Sequence, residues 1–194
     1  MRRHQIVRIT AETQIQMELN LDGEGIYSGH CGIGFFDHML TLLCKHGKLD
    51  LNLKAKGDLE VDNHHLIEDL GIALGICIHE AVGEKRGIRR YGNMRLPMDE
   101  VLTSVDLDLG GRGYLVYNVD LARERVGEFE CETLREFFYA LAINGGMNLH
   151  INLHYGINDH HKIESIFKAF ARALASAVEV IDESGAIPST KGVL

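Results

Sequence analysis

The chain has 194 residues, of which 45% are hydrophobic and 25% charged, the proportions of an ordinary globular protein with one domain or two closely joined halves. Its formal net charge of -8 at pH 7 disfavours nucleic acid as a partner, and its longest apolar run, residues 70–78, is too short to cross a membrane. The four cysteines form no C-x-x-C pair, and the amino terminus has no apolar stretch of the signal-peptide kind, so we expect a cytoplasmic protein with reduced thiols.

Alternating apolar and polar residues predict strands at 15–21 and 49–53 in the first half of the chain, and helical spacing predicts helices at 35–45 and 64–84. The second half repeats this order with a strand at 105–109, a helix at 133–144, a strand at 149–154 and a helix at 160–181. One face of each strand is polar, so helices should cover only the other face. The two prolines, Pro97 and Pro188, are predicted to lie in loops.

The second half is a diverged copy of the first. Residues 17–25 match residues 105–113, and residues 63–68 match residues 159–164, so the length differences fall in loops. Glu12 corresponds to Glu100 in this alignment. Two such halves, 1–88 and 89–194, should pack their helical faces together as an α/β (α+β) sandwich, with the sheets outside and the helices between them.

A His-His-x-x-Glu motif opens the last predicted helix of each half. Its two copies comprise His64, His65 and Glu68, and His160, His161 and Glu164. Adjacent helical positions point about 100° apart, so each motif offers two divergent imidazoles and one carboxylate. These nitrogen and oxygen donors suit manganese, iron, cobalt or zinc. One copy alone could equally cap a helix or line a polar face, but the repetition favours a pair of divalent ions that act on a small molecule.

Five short segments carry a more specific signal. They are FDHML (36–40), DNHHLIED (62–69), RGIRRYG (86–92), HHKIE running into FKAF (160–170) and PSTKG (188–192). Through them, from about residue 5 to the carboxyl terminus, the chain resembles the imidazoleglycerol-phosphate dehydratase family of histidine biosynthesis. The resemblance implies that each half is a four-stranded mixed sheet with two helices on one face, similar to domain 2 of ribosomal protein S5.

The resemblance also implies a set of site residues. One Mn²⁺ would be held by His38, His65, Glu68 and His160, and a second by His64, His161, Glu164 and a residue next to Phe137, which is Glu136 in this chain. The catalytic carboxylates would be Glu12, Glu68 and Glu164, with Glu12 in contact with the substrate near its reacting carbons. The phosphate would be bound by His46, Arg90, Arg112, Lys168, Ser189, Thr190 and Lys191.

Two of these assignments have simpler explanations from the residues alone. Arg90 could be one of several surface charges in residues 85–90. Arg112 could simply belong to a hairpin turn formed by residues 110–113. The motifs also leave two other classes of protein open: a metal-dependent hydrolase, in which the ions activate water, and a non-catalytic metal-binding protein.

The implied reaction converts imidazole glycerol phosphate to imidazole acetol phosphate plus water. Two cations on the ring nitrogens would favour the imidazolate, whose electrons expel the hydroxyl group on the adjacent carbon. A carboxylate then removes the neighbouring proton, and Glu12 is the candidate for this base. The resemblance further implies a 24-subunit homo-oligomer with metals and substrates between its subunits.

Overall fold

The first half of the chain forms a four-stranded sheet with two helices. In chain order its elements are β1 (Arg3–Ile9), β2 (Thr13–Asn20), β3 (Tyr27–His30), α1 (Gly34–Gly47), β4 (Asp50–Gly57) and α2 (His64–Val82). The sheet order is β1-β2-β4-β3, and β3 runs parallel to β4 while the other neighbours are antiparallel. The structure is a computed structural model and describes residues 2–192.

The second half repeats this topology. Its elements are β5 (Tyr91–Met98), β6 (Val101–Asp108), β7 (Tyr114–Asn118), β8 (Arg125–Val126), β9 (Phe129–Glu130), α3 (Thr133–Asn144), β10 (Asn148–Tyr155) and α4 (Asp159–Val178). The order β5-β6-β10-β7, with β7 parallel to β10, matches the first sheet position by position. The predicted duplication is therefore confirmed, and the hairpin β8–β9 is an addition in the second half.

The inner face of each sheet is apolar. In β2, Ile15, Met17 and Leu19 are buried, whereas Gln16 and Glu18 between them are exposed. α2 covers β1 and β2, and α4 covers β5 and β6, while α2 packs against α3 and α1 packs against α4. The helices thus lie between the two sheets, as predicted, because this arrangement buries both apolar faces at once.

Two glycines let α2 and α3 approach closely. A Cβ atom on Gly71 would lie 2.4 Å from the carbonyl oxygen of Phe137, and one on Gly75 would lie 2.7 Å from that of Leu141. Beside this contact, α1, α3 and α4 meet in a cluster of fully buried aromatic rings formed by Phe36, Phe137, Phe138, Phe167 and Phe170. The helix ends that carry the two histidine motifs are therefore anchored in a rigid core.

Sequence alternation identified the four central strands and missed the four edge strands of the two large sheets and the short hairpin β8–β9. An edge strand such as β1 has one neighbour and exposes Val7 and Ile9, so its apolar pattern is weaker. The prediction that Pro97 lies in a loop is wrong, because Pro97 is part of β5 and pairs with Leu102. An edge strand tolerates proline, since only one side of the strand has to supply ladder hydrogen bonds.

The predicted helices agree with the structure to within a few residues. The largest difference is at the end of α4, which stops at Val178 rather than at residue 181. Within residues 2–192, none of the helices combines the length and apolar character that a membrane crossing needs.

Candidate active site

The two histidine motifs lie at the starts of α2 and α4. The rings of His64 and His65 are 6.2 Å apart and inclined by 84°, and those of His160 and His161 are 6.0 Å apart and inclined by 84°. Each motif therefore directs its two imidazoles to different places, as helical geometry requires of adjacent residues.

One group of side chains converges as metal ligands do, and we call it the His38 cluster. Donor atoms of His38, His160 and Glu164 all lie within 4.8 Å of one another. Glu164 Oε2 is 3.4 Å from His38 Nε2 and 3.2 Å from His160 Nε2, and Glu164 Oε1 is 2.6 Å from Lys168 Nζ. Burial acts to raise the pKa of Glu164, but Lys168 and the two histidines outweigh it and hold this pKa below its usual value. Glu164 is therefore an anionic group facing two imidazoles.

The first motif belongs to a second group, the His65 cluster. His65 Nδ1 is 3.0 Å from Asp58 Oδ2, and His65 Nε2 is 3.7 Å from Glu12 Oε1. His64 Nε2 is 3.8 Å from Glu68 Oε2. The hydrogen bond to Asp58 raises the pKa of His65. A carboxylate on one ring nitrogen of a histidine fixes the ring and leaves the other nitrogen for a ligand, an arrangement typical of metal-binding histidines.

His161 pairs with Glu100, the repeat partner of Glu12. His161 Nδ1 is 2.9 Å from Glu100 Oε2, and this hydrogen bond lowers the pKa of Glu100 to about 2. Glu100 also accepts hydrogen bonds from the backbone N–H groups of Ile157 and Asn158. The side chain of Glu12 has the equivalent position beside His65, is 52% exposed and accepts no such bond from the backbone of residues 2–192. Of the two repeat-related carboxylates, Glu12 is therefore the less constrained.

Neither predicted four-ligand set comes together within one chain. His38 and His160 meet, but their predicted partners His65 and Glu68 belong to the His65 cluster. Glu164 lies with His38 rather than with His64 and His161. In residues 2–192 the His38 cluster is the only convergence of three or more potential ligands.

Glu136, the proposed eighth ligand, lies elsewhere. It accepts a 2.9 Å hydrogen bond from its neighbour Arg135 and lines an open cavity of about 780 Å³ between α3 and residues 119–125. Glu136 is therefore not among the side chains that converge in the His38 cluster.

Several of the predicted phosphate-binding residues line one cleft of about 760 Å³, namely Arg90, Arg112, Ser189, Thr190 and Lys191. Arg90 is held in place there: its Nε and Nη2 donate to Asp108 at 2.7 and 3.1 Å, and its Nη1 donates to the carbonyl oxygen of Pro188 at 2.8 Å. Arg90 has φ of 71°, a left-handed conformation that costs about 1–3 kcal/mol in a residue with a side chain.

Lys168 and His46, also predicted for phosphate, lie apart from this cleft. Both are close to Glu164, and burial together with the nearby Lys168 and Arg172 cations lowers the pKa of His46. The backbone N–H of Arg90 donates to the carbonyl oxygen of Ala177. Ala177 is nine residues after Lys168 and so lies about 14 Å further along α4. Within one chain the predicted phosphate ligands therefore form two separate groups.

Two carboxylates at the site were missed by the sequence analysis. Asp58 orients His65, and Asp108 orients Arg90. The two residues of each pair are well separated in sequence, and no periodic pattern links them. The one available signal for Asp58 was its position just before the first histidine motif.

Comparison with known proteins identifies the family. The family model described as imidazoleglycerol-phosphate dehydratase matches residues 31–174. Imidazoleglycerol-phosphate dehydratases from Heliobacterium modesticaldum and Roseobacter denitrificans are similar to this chain, with 57% and 54% identity over 195 aligned residues and 100% of each chain covered.

Solved structures agree with this comparison. The structure of imidazoleglycerol-phosphate dehydratase from Staphylococcus aureus is similar, with a TM-score of 0.82 and 42% identity over 90% of this chain and 97% of that one. The structure from Pyrococcus furiosus gives a TM-score of 0.81 and 35% identity, covering 97% of this chain and all of the other. The motifs, the duplicated sandwich and these full-length similarities lead to one conclusion: the chain belongs to the imidazoleglycerol-phosphate dehydratase family.

Proposed function

We propose that this dehydratase works at sites formed between copies of the chain, each combining the His38 cluster of one copy with the His65 cluster of another. Family membership assigns the reaction, the conversion of imidazole glycerol phosphate to imidazole acetol phosphate plus water in histidine biosynthesis. It does not favour the hydrolase or the metal-storage alternatives. The observation that carries the proposal is that each chain holds two incomplete ligand groups rather than one complete set.

The donor atoms present suit Mn²⁺. The His38 cluster supplies two imidazole nitrogens and one carboxylate oxygen with no thiolate, and His38 remains 47% exposed on its open side. Mn²⁺ is a hard ion that favours carboxylate oxygens and is also bound by imidazole nitrogens, and three donors leave coordination positions open. We propose that His64, His65, Glu68, His161 and Glu136 provide the further ligands. When bound, the ions supply positive charge that lowers the pKa of the substrate's imidazole ring.

Glu12 is the proposed base. Its carboxylate lies beside His65, is exposed, and accepts no backbone hydrogen bond from the described residues. It can therefore take the proton from the carbon adjacent to the one that loses its hydroxyl group. We propose that Glu68 and Glu164 act mainly as ligands, because each lies near a histidine nitrogen.

The cleft around Arg90 is the proposed site of the substrate phosphate. Asp108 and Pro188 fix the guanidinium, so its remaining N–H groups are oriented in advance, and a fixed guanidinium can bind two phosphate oxygens at once. Arg112, Ser189, Thr190 and Lys191 add donors to the same cleft. We propose that Lys168 and His46 reach the phosphate from a neighbouring copy in a 24-subunit assembly.

We also propose a cytoplasmic location. All four cysteines are unpaired and buried, and burial raises the pKa of the Cys44 and Cys77 thiols to about 12. Protonated, buried thiols are what a reducing compartment preserves.

Mixed oligomers test whether the sites lie between copies. His65→Ala and His160→Ala variants, each inactive alone, should regain about a quarter of the parental turnover when co-expressed with different tags and purified through both, because random mixing leaves that share of sites with two intact contributions. A co-purified mixture no more active than either variant would show that both histidines must come from the same chain.

A further inference from the structure

The two repeats differ most at one connection. Three residues, 31–33, join β3 to α1 in the first half, whereas fourteen residues, 119–132, join β7 to α3 in the second. We call residues 119–132 the strap. It contains the hairpin β8–β9, and nothing in the first sheet corresponds to it within the described residues. An addition of this length in only one repeat calls for a physical role.

The strap is hydrogen-bonded to the start of α2, which belongs to the first half of the chain. The backbone N–H of Asn63 donates to Glu130 Oε2 at 3.0 Å, and the backbone N–H of Glu130 donates to Asn63 Oδ1 at 3.0 Å. Both bonds are buried, and Arg125 forms an ion pair with the other oxygen of the Glu130 carboxylate. Asn63 directly precedes His64 and His65, so this pair of bonds fixes the backbone from which both imidazoles project.

Asn63 departs from ordinary helix capping. It is the N-cap residue of α2, a position at which an asparagine side chain usually bonds to the first turn of its own helix, yet it makes no such bond. Asp62 accepts the hydrogen bond from the backbone N–H of His64 instead. The side-chain oxygen of Asn63 accepts a hydrogen bond from Glu130 of the strap. The Asn63 side chain therefore serves a contact between the two halves of the chain rather than its own helix.

The strap is also hydrogen-bonded to the start of α4. Asp159, which is 1% exposed, accepts hydrogen bonds from the backbone N–H groups of Ala122 and Arg123 at 2.9 and 2.7 Å. The buried Lys162 donates to Asp159 at 2.8 Å and to the carbonyl oxygen of Asp120 at 3.1 Å. Asp159 is the repeat counterpart of Asn63 and directly precedes His160 and His161.

A third contact reaches α1. Phe129 in the strap is fully buried, stacks on Phe36 with ring centroids 5.6 Å apart, and lies 5.7 Å from Phe35. The ring of Phe35 in turn packs against that of His160, with centroids 5.0 Å apart and planes inclined by 69°. Phe35 and Phe36 come just before His38, so the strap contacts the starts of α1, α2 and α4, each of which carries proposed metal ligands.

We propose that the strap is a positioning element that holds the two His-His-x-x-Glu motifs in register with each other, through the residue that precedes each histidine pair. Its relation to metal binding rests on the proposed function. Partners that fix the orientation of ligands typically change metal affinity about 10–100-fold when they are lost. This positioning role explains why the second repeat carries an added connection that the first repeat lacks.

Glu130 offers the cleanest test, because Asp159 also neutralises the buried Lys162 and its loss would leave an unpaired buried charge. Three full-length variants are compared: Glu130→Ala, which loses the carboxylate acceptor, Glu130→Gln, whose amide oxygen can still accept the Asn63 N–H, and Glu128→Ala as a control in the exposed turn of the same hairpin. Each is stripped with chelator, titrated with Mn²⁺ by electron paramagnetic resonance, and measured by amide hydrogen exchange without metal.

The proposal expects Glu130→Ala to weaken Mn²⁺ binding about tenfold, with most of the affinity restored in Glu130→Gln and unchanged in Glu128→Ala. It also expects faster exchange in the first turn of α2 in Glu130→Ala, but not in the second half of that helix. A Glu130→Ala protein that melts at a lower temperature, yet matches Glu128→Ala in affinity and in first-turn exchange, would overturn the proposal. If the parent protein binds no Mn²⁺, the metal assignment fails, and the exchange result alone decides the role of the strap.

Discussion

Replacing Glu12 by Gln should lower the dehydration rate by about 10²–10⁴-fold, the usual contribution of a general base. Glutamine has nearly the same shape but cannot take a proton. The carboxylate of Glu12 is exposed and lies 3.7 Å from His65 Nε2. Because Glu12 is not one of the proposed ligands, its replacement should leave the bound metal unchanged. The measurement is kcat together with the metal content of the same preparation.

Glu18→Gln provides the matched control for Glu12→Gln. Glu18 lies on the polar face of β2, in the same sheet, and is exposed. Its replacement should leave kcat within about twofold, as expected for a surface change away from any site. A Glu12→Gln enzyme that turns over as fast as Glu18→Gln would remove Glu12 from the mechanism.

Glu164→Gln should have a comparably large effect for a different reason. The carboxylate faces His38, His160 and Lys168, and an amide there would lose the negative charge and would direct an N–H group at a ligand nitrogen. A change at a direct ligand should cost more than the roughly 10–100-fold that partners of ligands cost. We therefore expect both lower metal occupancy and turnover reduced by more than about a hundredfold.

Glu179→Gln is the control for Glu164→Gln, since Glu179 follows the same helix and pairs with Arg89 on the exposed surface. It should keep its metal and its activity. Full metal occupancy in Glu164→Gln, measured by elemental analysis of protein prepared without chelators, would contradict the assignment of Glu164 as a ligand.

The strands that periodicity predicted are those with several buried apolar residues on one face. β2, β4, β6 and β10 are central strands, and their alternation follows directly from one buried and one exposed face. The edge strands were missed because a single neighbour buries less of them, and Pro97 was placed in a loop because proline is depleted in strands other than edge strands.

The site was predictable where it is local and unpredictable where it is not. Divergence of His64 from His65 follows from helical geometry alone. Which cluster Glu164 joins, by contrast, depends on how α1 packs against α4, and the pairing of Asn63 with Glu130 spans 67 residues. No repeat or spacing in the sequence encodes such contacts, because they arise only when the two halves are packed together.

The central claim is that the duplicated motif holds a pair of cations that the dehydration requires. Elemental analysis of active protein purified without chelators tests it most directly when metal content, native mass and rate are measured on one sample. The account predicts about two transition ions per chain in a large oligomer, loss of activity on stripping, and recovery with Mn²⁺. A preparation that dehydrates the substrate at full rate with no bound transition ion would contradict it.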